Sequence, residues 1–407
     1  MKMTPNMTAT GAIPTPAQSV RDPRLDFYRG MAMFIILMAH TPGNWWNQWI
    51  PARFGFSDAA EIFVFCSGMA SAVAFGRTYD RRGWLLGTSR ILFRCWQIYW
   101  AHIATFLFTA MMLVAIDQYG DFEKSYVGSL NLGRFFEEPG QNLVGLFTLT
   151  YVPNFFDILP MYMMILLMVP IVMALSNVSL WLVAAFVGIV WFMGQGGILD
   201  AIGIGWLEID LPAEPWSDRP WFFNPFAWQL VFFTGFALMR GWIPAPPVNA
   251  LMIGLVAIVL IASFTVSSVA MRELGADWAR EWRSDNRMWI TKTDGGVIRY
   301  IHFLAIAYFG WVIAGPQGRH LMAKGASAGA KLWRGIVAQI TKVGQQSLAV
   351  FLVSIVLSRL LGFALDMTGN DPWPTAFWNV IGFAILLATA YGAAWFKSQP
   401  WRGPAKT

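Results

Sequence analysis

The fold of this chain is decided by residues 25–40, which read LDFYRGMAMFIILMAH. With the residues that follow, this run is long enough for a transmembrane helix, which needs about 20 mainly apolar residues. It nevertheless carries Arg29 and His40, and an ionisable group in lipid costs at least a few kcal/mol unless it is paired or faces a wet cavity. The two residues lie about three helical turns apart, so they share one face with a rise of roughly 16 Å between them. This face is the first candidate for a functional surface.

The composition extends this interpretation to the whole chain. Of its 407 residues, 56% are hydrophobic and only 13% are charged. A soluble domain of this length could not cover so much apolar surface, so the chain needs lipid as its solvent. We therefore expect an all-α integral membrane protein in which a single helical bundle uses most of the residues.

Apolar runs of about 20 residues predict about ten transmembrane helices. These runs cover residues 27–45, 57–76, 91–116, 156–176, 179–197, 225–240, 248–271, 297–315, 345–366 and 375–396. The apolar segment 141–152 is too short to cross, and we interpret it as a re-entrant or interfacial piece. Three predicted loops, 117–140, 198–224 and 272–296, are rich in Trp, acids and Arg, so they either meet a polar ligand or merely cap the bundle.

The basic residues predict the orientation of the bundle. Ten spans that start inside place sixteen Lys and Arg on the cytoplasmic side and nine on the other, the bias expected because basic residues are retained in cytoplasmic loops. We therefore expect a bacterial inner-membrane protein with both termini in the cytoplasm. The net charge of +6 does not indicate nucleic-acid binding, because the basic residues form short clusters between apolar segments.

The chain divides into three predicted parts: a flexible cytoplasmic tail, 1–24, a transmembrane domain, 25–397, and a cytoplasmic C-terminal tail, 398–407. The first twenty residues lack the apolar core of a signal peptide. The two cysteines, Cys66 and Cys95, both lie in apolar stretches. Neither a disulfide framework nor a metal site is therefore expected.

Ten ionisable residues fall inside or at the edge of the predicted spans, and each needs a reason. They are Arg29, His40, Asp58, Glu61, Arg94, His102, Asp157, Arg299, His302 and Arg359. Arg94 stands one helical turn after Arg90, where the third span begins in a basic loop. This pair either grips phosphates or anchors lipid head groups.

Several of these residues have a plain structural interpretation. A lone histidine in an apolar span is more often packed than catalytic, which is our prediction for His102 and His302. Arg299 and Arg359 are expected to snorkel or to form paired structural charges. Asp157 is either a cavity-lining group or the N-cap of a helix.

Two linked motifs resemble the membrane-bound acyltransferase-3 superfamily. The ten residues between Arg29 and His40 match its arginine-x10-histidine signature. Residues 61–68, EIFVFCSG, look like its acid-x-Phe-Phe-x-x-Ser-Gly segment, with Glu61 in place of Asp and Val64 in place of the second Phe. The resemblance implies one bundle of about ten transmembrane helices of the acyltransferase-3 type.

Within that superfamily the chain is similar to the OpgC-type proteins. The likeness rests on residues 94–102 (RCWQIYWAH), 157–162 (DILPMY), 224–229 (NPFAWQ) and 344–348 (GQQSL). Members of that group are associated with succinylation of osmoregulated periplasmic glucans. The resemblance therefore implies succinyl-CoA, or another acyl-CoA, as donor and a periplasmic glucan hydroxyl as acceptor, with no permanently bound cofactor.

The resemblance also suggests which residues carry the chemistry. Forming an ester from a thioester requires a nucleophilic sugar hydroxyl, and histidine, with a reference pKa near 6.5, is the usual base. We expect His40 to be the general base. Glu61 is expected to accept a hydrogen bond from the other ring N–H, and Asp58 is a weaker candidate for that task.

Arginines are expected to hold the CoA phosphates, because guanidinium groups match phosphate oxygens. The candidates are Arg29, Arg94 and Arg90, although the superfamily usually places its two arginines three positions apart. The free carboxylate of a succinyl group would need a further cation, which the sequence does not identify. Candidate cavity-lining residues are Asp157, Tyr162, Asn224, Trp228, Gln346 and Ser347. Ser347 is also the kind of small polar residue that tightens helix packing.

A transporter or flippase of a glycan or another polar substrate is the main alternative, since many spans with buried charges also describe transporters. Such proteins often have two related halves, but no internal repeat links residues 1–200 with 201–407. A non-catalytic scaffold would not need an imidazole that faces arginines and an acid. The expected partners are therefore acyl-CoA, a periplasmic glucan and the lipid bilayer, and the oligomeric state is left open.

Overall fold

The computed structural model describes residues 22–120 and 122–402. Of the two predicted tails, residues 1–21 and 403–407 lie outside this range. The described residues form seventeen α-helices and no β-strand. The helices are α1 Pro23–His40, α2 Ala59–Ser71, α3 Arg77–Tyr119, α4 Gly133–Glu137, α5 Pro139–Thr148, α6 Ile158–Ser176, α7 Leu180–Met193, α8 Gly196–Ala201, α9 Pro225–Arg240, α10 Ala250–Thr265, α11 Ser268–Glu273, α12 Trp278–Asp285, α13 Arg287–Ile290, α14 Val297–Ala314, α15 Ala328–Gln345, α16 Ser347–Thr368 and α17 Pro372–Ser398.

The ends of α1 follow from local chemistry. The Asp22 side chain accepts a hydrogen bond from the backbone N–H of Arg24 at 3.0 Å, and Pro23 occupies the first turn, where its missing N–H costs nothing. The helix stops where Thr41 becomes extended. The backbone N–H and the hydroxyl of Thr41 both donate to the carbonyl of Leu37, at 3.1 and 2.8 Å. His40 is therefore fixed as the last helical residue.

The chain turns between the second and third predicted spans. α2 continues through a π-helical turn, Ala72–Gly76, into α3. Within α3, Gly83 has a φ of 79° and a ψ of 175°, which is not helical. A residue with a Cβ would be strained at this φ, so glycine allows the turn. The stretch Ala59–Tyr119 is therefore two helices that meet at Gly83.

The helix that carries Arg29 and His40 packs against α2, α15 and α16. Contact with α15 is especially close. A methyl group added at Gly30 would lie 1.9 Å from the carbonyl oxygen of Ile340, and one added at Gly344 would lie 1.8 Å from that of Asp26. Small residues permit this approach of helix backbones. The remaining packing pairs α2 with α9, α3 with α6, α7 with α9, α10 with α14, and α16 with α17.

By length and composition, five helical stretches of the described chain are able to cross a membrane. They are Ala59–Tyr119, Ile158–Ser176, Val297–Ala314, Ser347–Thr368 and Pro372–Arg402. α7 and α10 are apolar but shorter. Each of the ten predicted spans contains a helix, yet the number of crossings stays a prediction. α1 is absent from the five because Arg24, Asp26 and Arg29 lie within its eighteen residues.

The predicted non-crossing segment and the long loops also have defined structure. Residues 141–152 contain most of α5, a helix of ten residues, which is too short to cross a bilayer. Short helices occur in the three predicted loops, namely α4 in the first, α8 in the second, and α12 and α13 in the third.

Candidate active site

His40 lies at the C-terminal end of α1, where several elements meet. Its ring contacts the ring of Phe155 edge-on, with centroids 5.1 Å apart. Its carbonyl accepts a hydrogen bond from a guanidinium nitrogen of Arg359 at 3.1 Å. Its Nδ1 is buried and has no hydrogen-bond partner within the described part of the chain. The ring therefore has a nitrogen that is not committed to any structural contact.

A network of four charged residues surrounds the start of α2. The Lys292 ammonium lies 2.6 Å from an oxygen of Asp58, and the Arg299 guanidinium lies 3.5 Å from the same oxygen. Arg299 also donates through Nε to a carboxylate oxygen of Glu61. The charges of Asp58 and Lys292 act on His40. The network, which contains two carboxylates and two cations, is therefore near enough to act on the imidazole through its charges.

The structure gives Glu61 a different partner from the one expected. One of its oxygens accepts the backbone N–H of Asp58 at 2.8 Å, and the other binds Arg299. Asp58 in turn accepts the backbone N–H of Ala60 at 2.7 Å, which completes a capping box. The predicted hydrogen bond from His40 to Glu61 is absent from the described structure, because the helix cap and Arg299 already use both carboxylate oxygens.

A second group of predicted residues meets near the other end of α1. We call Arg29, Arg94, Gln346, Ser347 and Lys397 the Arg29 cluster. Arg29 donates to the Ser347 hydroxyl, and Lys397 donates to the side-chain oxygen of Gln346 at 2.7 Å. The charges of Arg94 and Arg29 both act on Lys397. The structure thus gathers three cations around the start of α16.

Lys397 was not predicted as a site residue. In the sequence it is only the last charge after an apolar run, which is the ordinary position of a lysine at a membrane boundary. Its interaction with Gln346 spans 51 residues. Only the packing of α17 on α16 brings it to Arg29, so local spacing held no signal for it.

Arg90 does not join this cluster. Its guanidinium donates to the carbonyl of Ala74 at 2.8 Å and to the hydroxyl of Thr78 at 2.5 Å, and it lies over the ring of Phe75. These residues belong to the junction of α2 and α3. Arg90 contacts that junction through a single guanidinium nitrogen, and its binding of phosphates together with Arg94 stays a prediction.

Asp157 and Tyr162 lie at the beginning of α6. Asp157 is buried, and one of its oxygens accepts the backbone N–H of Phe222 at 3.1 Å. Its other oxygen is buried without a partner among the described residues. It stands at the N-cap position of α6, but its side chain makes no capping hydrogen bond there, and its role as a cavity-lining group stays a prediction. Tyr162 is half-buried, and its ring lies 6.1 Å from that of Phe232.

Asn224 and Trp228 support the segment that presents Lys292. Asn224 caps α9 through the backbone N–H of Phe226 at 3.0 Å, and its own N–H donates to the carbonyl of Thr293 at 3.0 Å. The indole of Trp228 donates to the carbonyl of Lys292 at 2.9 Å. Both side chains are buried, so they position the Lys292 segment rather than line an open cavity.

Of the other two histidines of the spans, His302 has a hydrogen-bond partner, whereas Nε2 of His102 is buried without one among the described residues, as Nδ1 of His40 is. Nδ1 of His302 lies 2.8 Å from the hydroxyl of Ser57, a bond that packs α14 against the start of α2. His102 is buried on α3 beside a small apolar cavity that Phe155, Ile158 and Phe351 also line. Both positions agree with the prediction that these are packed residues.

The segment next to Lys292 also holds an unusual acid. Burial and the negative charges of Glu208 and Asp210 raise the pKa of Asp294 to about 6, although a hydrogen bond with Asn224 opposes them. Burial also raises the pKa values of Glu208 and Asp210. No group of three His, Cys, Asp or Glu side chains suited to a metal ion occurs within the part of the chain that the structure covers.

Comparison with known proteins adds a family to this geometry. No curated protein and no solved structure matches the chain. The family described as OpgC protein matches residues 21–398, which include every helix from α1 to α17 and both groups of polar residues described above. The chain therefore belongs to the OpgC family.

Proposed function

We propose that this protein is a membrane-bound O-acyltransferase of the acyltransferase-3 type that modifies a periplasmic glucan. It takes an acyl group from acyl-CoA on the cytoplasmic side of the inner membrane, and the acyl group that we propose is succinyl. His40 acts as the general base that activates a glucan hydroxyl. Membership of the OpgC family supports the glucan as acceptor, because that family is associated with osmoregulated periplasmic glucans.

The observation that carries the proposal is the arrangement of α1 between two polar regions. Arg29, toward one end, belongs to a cluster of three cations, and His40, at the other end, borders the Asp58–Lys292 pair. The rise between the two residues is roughly 16 Å. A long, flexible donor with phosphates at one end and a thioester at the other fits such a separation.

The Arg29 cluster suits the phosphates of CoA. Guanidinium groups bind phosphate oxygens through charge-assisted hydrogen bonds, and Lys397 adds a compact positive charge beside them. Gln346 and Ser347 hold Lys397 and Arg29 in place. Acyl-CoA is a substrate in this scheme, and these residues bind and orient it without taking part in bond changes.

His40 carries the chemistry. The hydroxyl oxygen attacks the thioester carbonyl, the carbon–sulfur bond breaks, and an ester and a CoA thiol are formed. His40 accepts the hydroxyl proton and returns it to the leaving sulfur, so the ring ends as it began. Its uncommitted nitrogen supports this role. Asp58 attracts the transient positive charge on the ring, against the repulsion of Lys292 and Arg359, while Glu61 holds Arg299 and the start of α2.

The test uses the full chain reconstituted in proteoliposomes with labelled succinyl-CoA and a periplasmic glucan. We expect covalent label on the glucan, and its loss in His40→Ala. A matched control is His320→Ala, which changes an exposed histidine whose ring nitrogen lies 2.7 Å from the carbonyl oxygen of Ile313. Movement of unmodified glucan across the membrane that survives His40→Ala would favour the flippase instead.

A further inference from the structure

Arg359 contacts the candidate base although 319 residues separate them. A nitrogen of its guanidinium donates to the His40 carbonyl at 3.1 Å, and its central carbon lies 3.9 Å from the centre of the Phe155 ring. The same ring meets the imidazole at 5.1 Å. Phe155 therefore touches both groups, and the guanidinium and the imidazole border one region of the bundle.

The guanidinium of Arg359 has no carboxylate partner within residues 22–120 and 122–402. Arg299 and Lys292, the other cations near His40, are paired with acids. Nε of Arg359 is buried and makes no hydrogen bond in the described structure. A cation removed from water without a counter-ion is costly, so its retention needs a reason.

Snorkelling does not supply that reason. Arg359 lies twelve residues after the beginning of α16 and nine before its end, near the middle of the helix. Its side chain turns to His40 and Phe155 instead of extending to either end. Its side chain is half-buried, so part of it remains accessible.

Phe155, which contacts both Arg359 and His40, has an unusual backbone conformation. Phe155 has a φ of 87°, a left-handed conformation that is an outlier for a bulky residue and costs of order 1–3 kcal/mol. The preceding Asn154 is held by a hydrogen bond from Arg219 at 2.8 Å. Such strain persists only where the surrounding structure enforces it, and it concentrates at functional sites.

We infer that Arg359 binds the free carboxylate of a dicarboxylic acyl group while its thioester end lies at His40. This inference rests on the proposed acyl transfer and names the residue that selects the donor. A half-thioester of a diacid carries a carbonyl to be attacked at one end and a carboxylate at the other. The carboxylate completes the missing ion pair through the guanidinium fork, whereas an uncharged acyl chain leaves the cation unpaired.

The test compares succinyl-CoA with butyryl-CoA, a donor of the same chain length without the carboxylate, in the reconstituted full chain. Arg359→Gln is expected to lower kcat/KM for succinyl-CoA about 100-fold. The kcat/KM for butyryl-CoA should change little. Arg359→Lys is expected to retain part of the preference, because the charge remains without the planar fork. The butyryl reaction also shows that each variant is folded.

Arg283→Gln is a matched control. Its guanidinium also lies over a phenylalanine, Phe56, at 5.4 Å and donates to a backbone carbonyl, that of Val266, at 3.1 Å. The Arg283→Gln variant is expected to react with succinyl-CoA and with butyryl-CoA as the wild type does. Equal loss with both donors in Arg359→Gln, or no loss with either, would overturn the inference. Failure of the wild type to transfer either acyl group would instead overturn the proposed function.

Discussion

Lys292 and Asp58 form an ion pair of 2.6 Å across 234 residues, and this pair joins the segment before α14 to the beginning of α2. Trp228 holds the backbone of the same segment through the carbonyl of Lys292. The pair matters because its charges act on His40. It therefore connects the stability of these two segments with the environment of the candidate base.

Replacing Lys292 by Met keeps most of the side-chain length over Phe223 but leaves Asp58 with Arg299 alone. We expect a loss of about 1–2 kcal/mol in the free energy of unfolding, since the pair is only partly exposed. Thermal unfolding in detergent measures it. The double variant Lys292→Met/Asp58→Asn should lose less than the sum of the single changes, because the pair acts as a unit. Simple additivity would show that the two residues do not interact.

Glu61 and Arg299 are buried together, so replacing either residue should mainly lower the free energy of unfolding rather than act directly on the transfer reaction. Arg299→Met strands a buried carboxylate and is expected to cost about 3–5 kcal/mol, whereas adding Glu61→Gln should restore part of that loss. Thermal unfolding and the yield of folded protein measure the effect. His40→Gln should unfold like the wild type while losing transfer. A fully stable but inactive Glu61→Gln would restore Glu61 as the direct partner of His40.

The Arg29 cluster should govern binding of the donor and not the chemical step. Arg29→Gln or Lys397→Gln is expected to raise KM for acyl-CoA about tenfold with little change in kcat, because a charge-assisted contact to phosphate is made equally in the ground and transition states. Steady-state kinetics at low and high salt measure this. Arg90→Gln provides the contrast, since its guanidinium serves the carbonyl of Ala74. A comparable rise in KM for Arg90→Gln would place Arg90 at the phosphate site.

Asp294 should make stability depend on pH. Its folded pKa of about 6 lies above the ordinary value of 3.8, because burial and two neighbouring acids disfavour the charged form. The folded state therefore binds more protons between these values, and stability falls as pH rises from about 4 to about 6. Asp294→Asn removes this cost. The unfolding temperature of the variant, relative to the wild type, should rise over that interval and level off above pH 7; a constant difference would argue against the raised pKa.

The sequence by itself determined where ten apolar helices lie and which of them carries Arg29 and His40, although it did not predict α15. Apolar runs and capping residues are local signals, so each of the ten predicted segments contains a helix. The spacing of Arg29 and His40 is also local, because both lie on the single helix α1. The family could be anticipated for the same reason, since its motifs are short runs within one helix or at a helix end, and its match covers residues 21–398.

Only the tertiary structure decided which charges face one another. Glu61 meets Arg299 across 238 residues, and Arg359 meets His40 across 319. Arg90, one turn from Arg94, is occupied at a different junction. Helical spacing fixes the face on which a side chain lies, but its partner depends on which helix packs there and at what height. That choice is made by close backbone contacts, such as those at Gly30 and Gly344, whose partners are far away in the sequence.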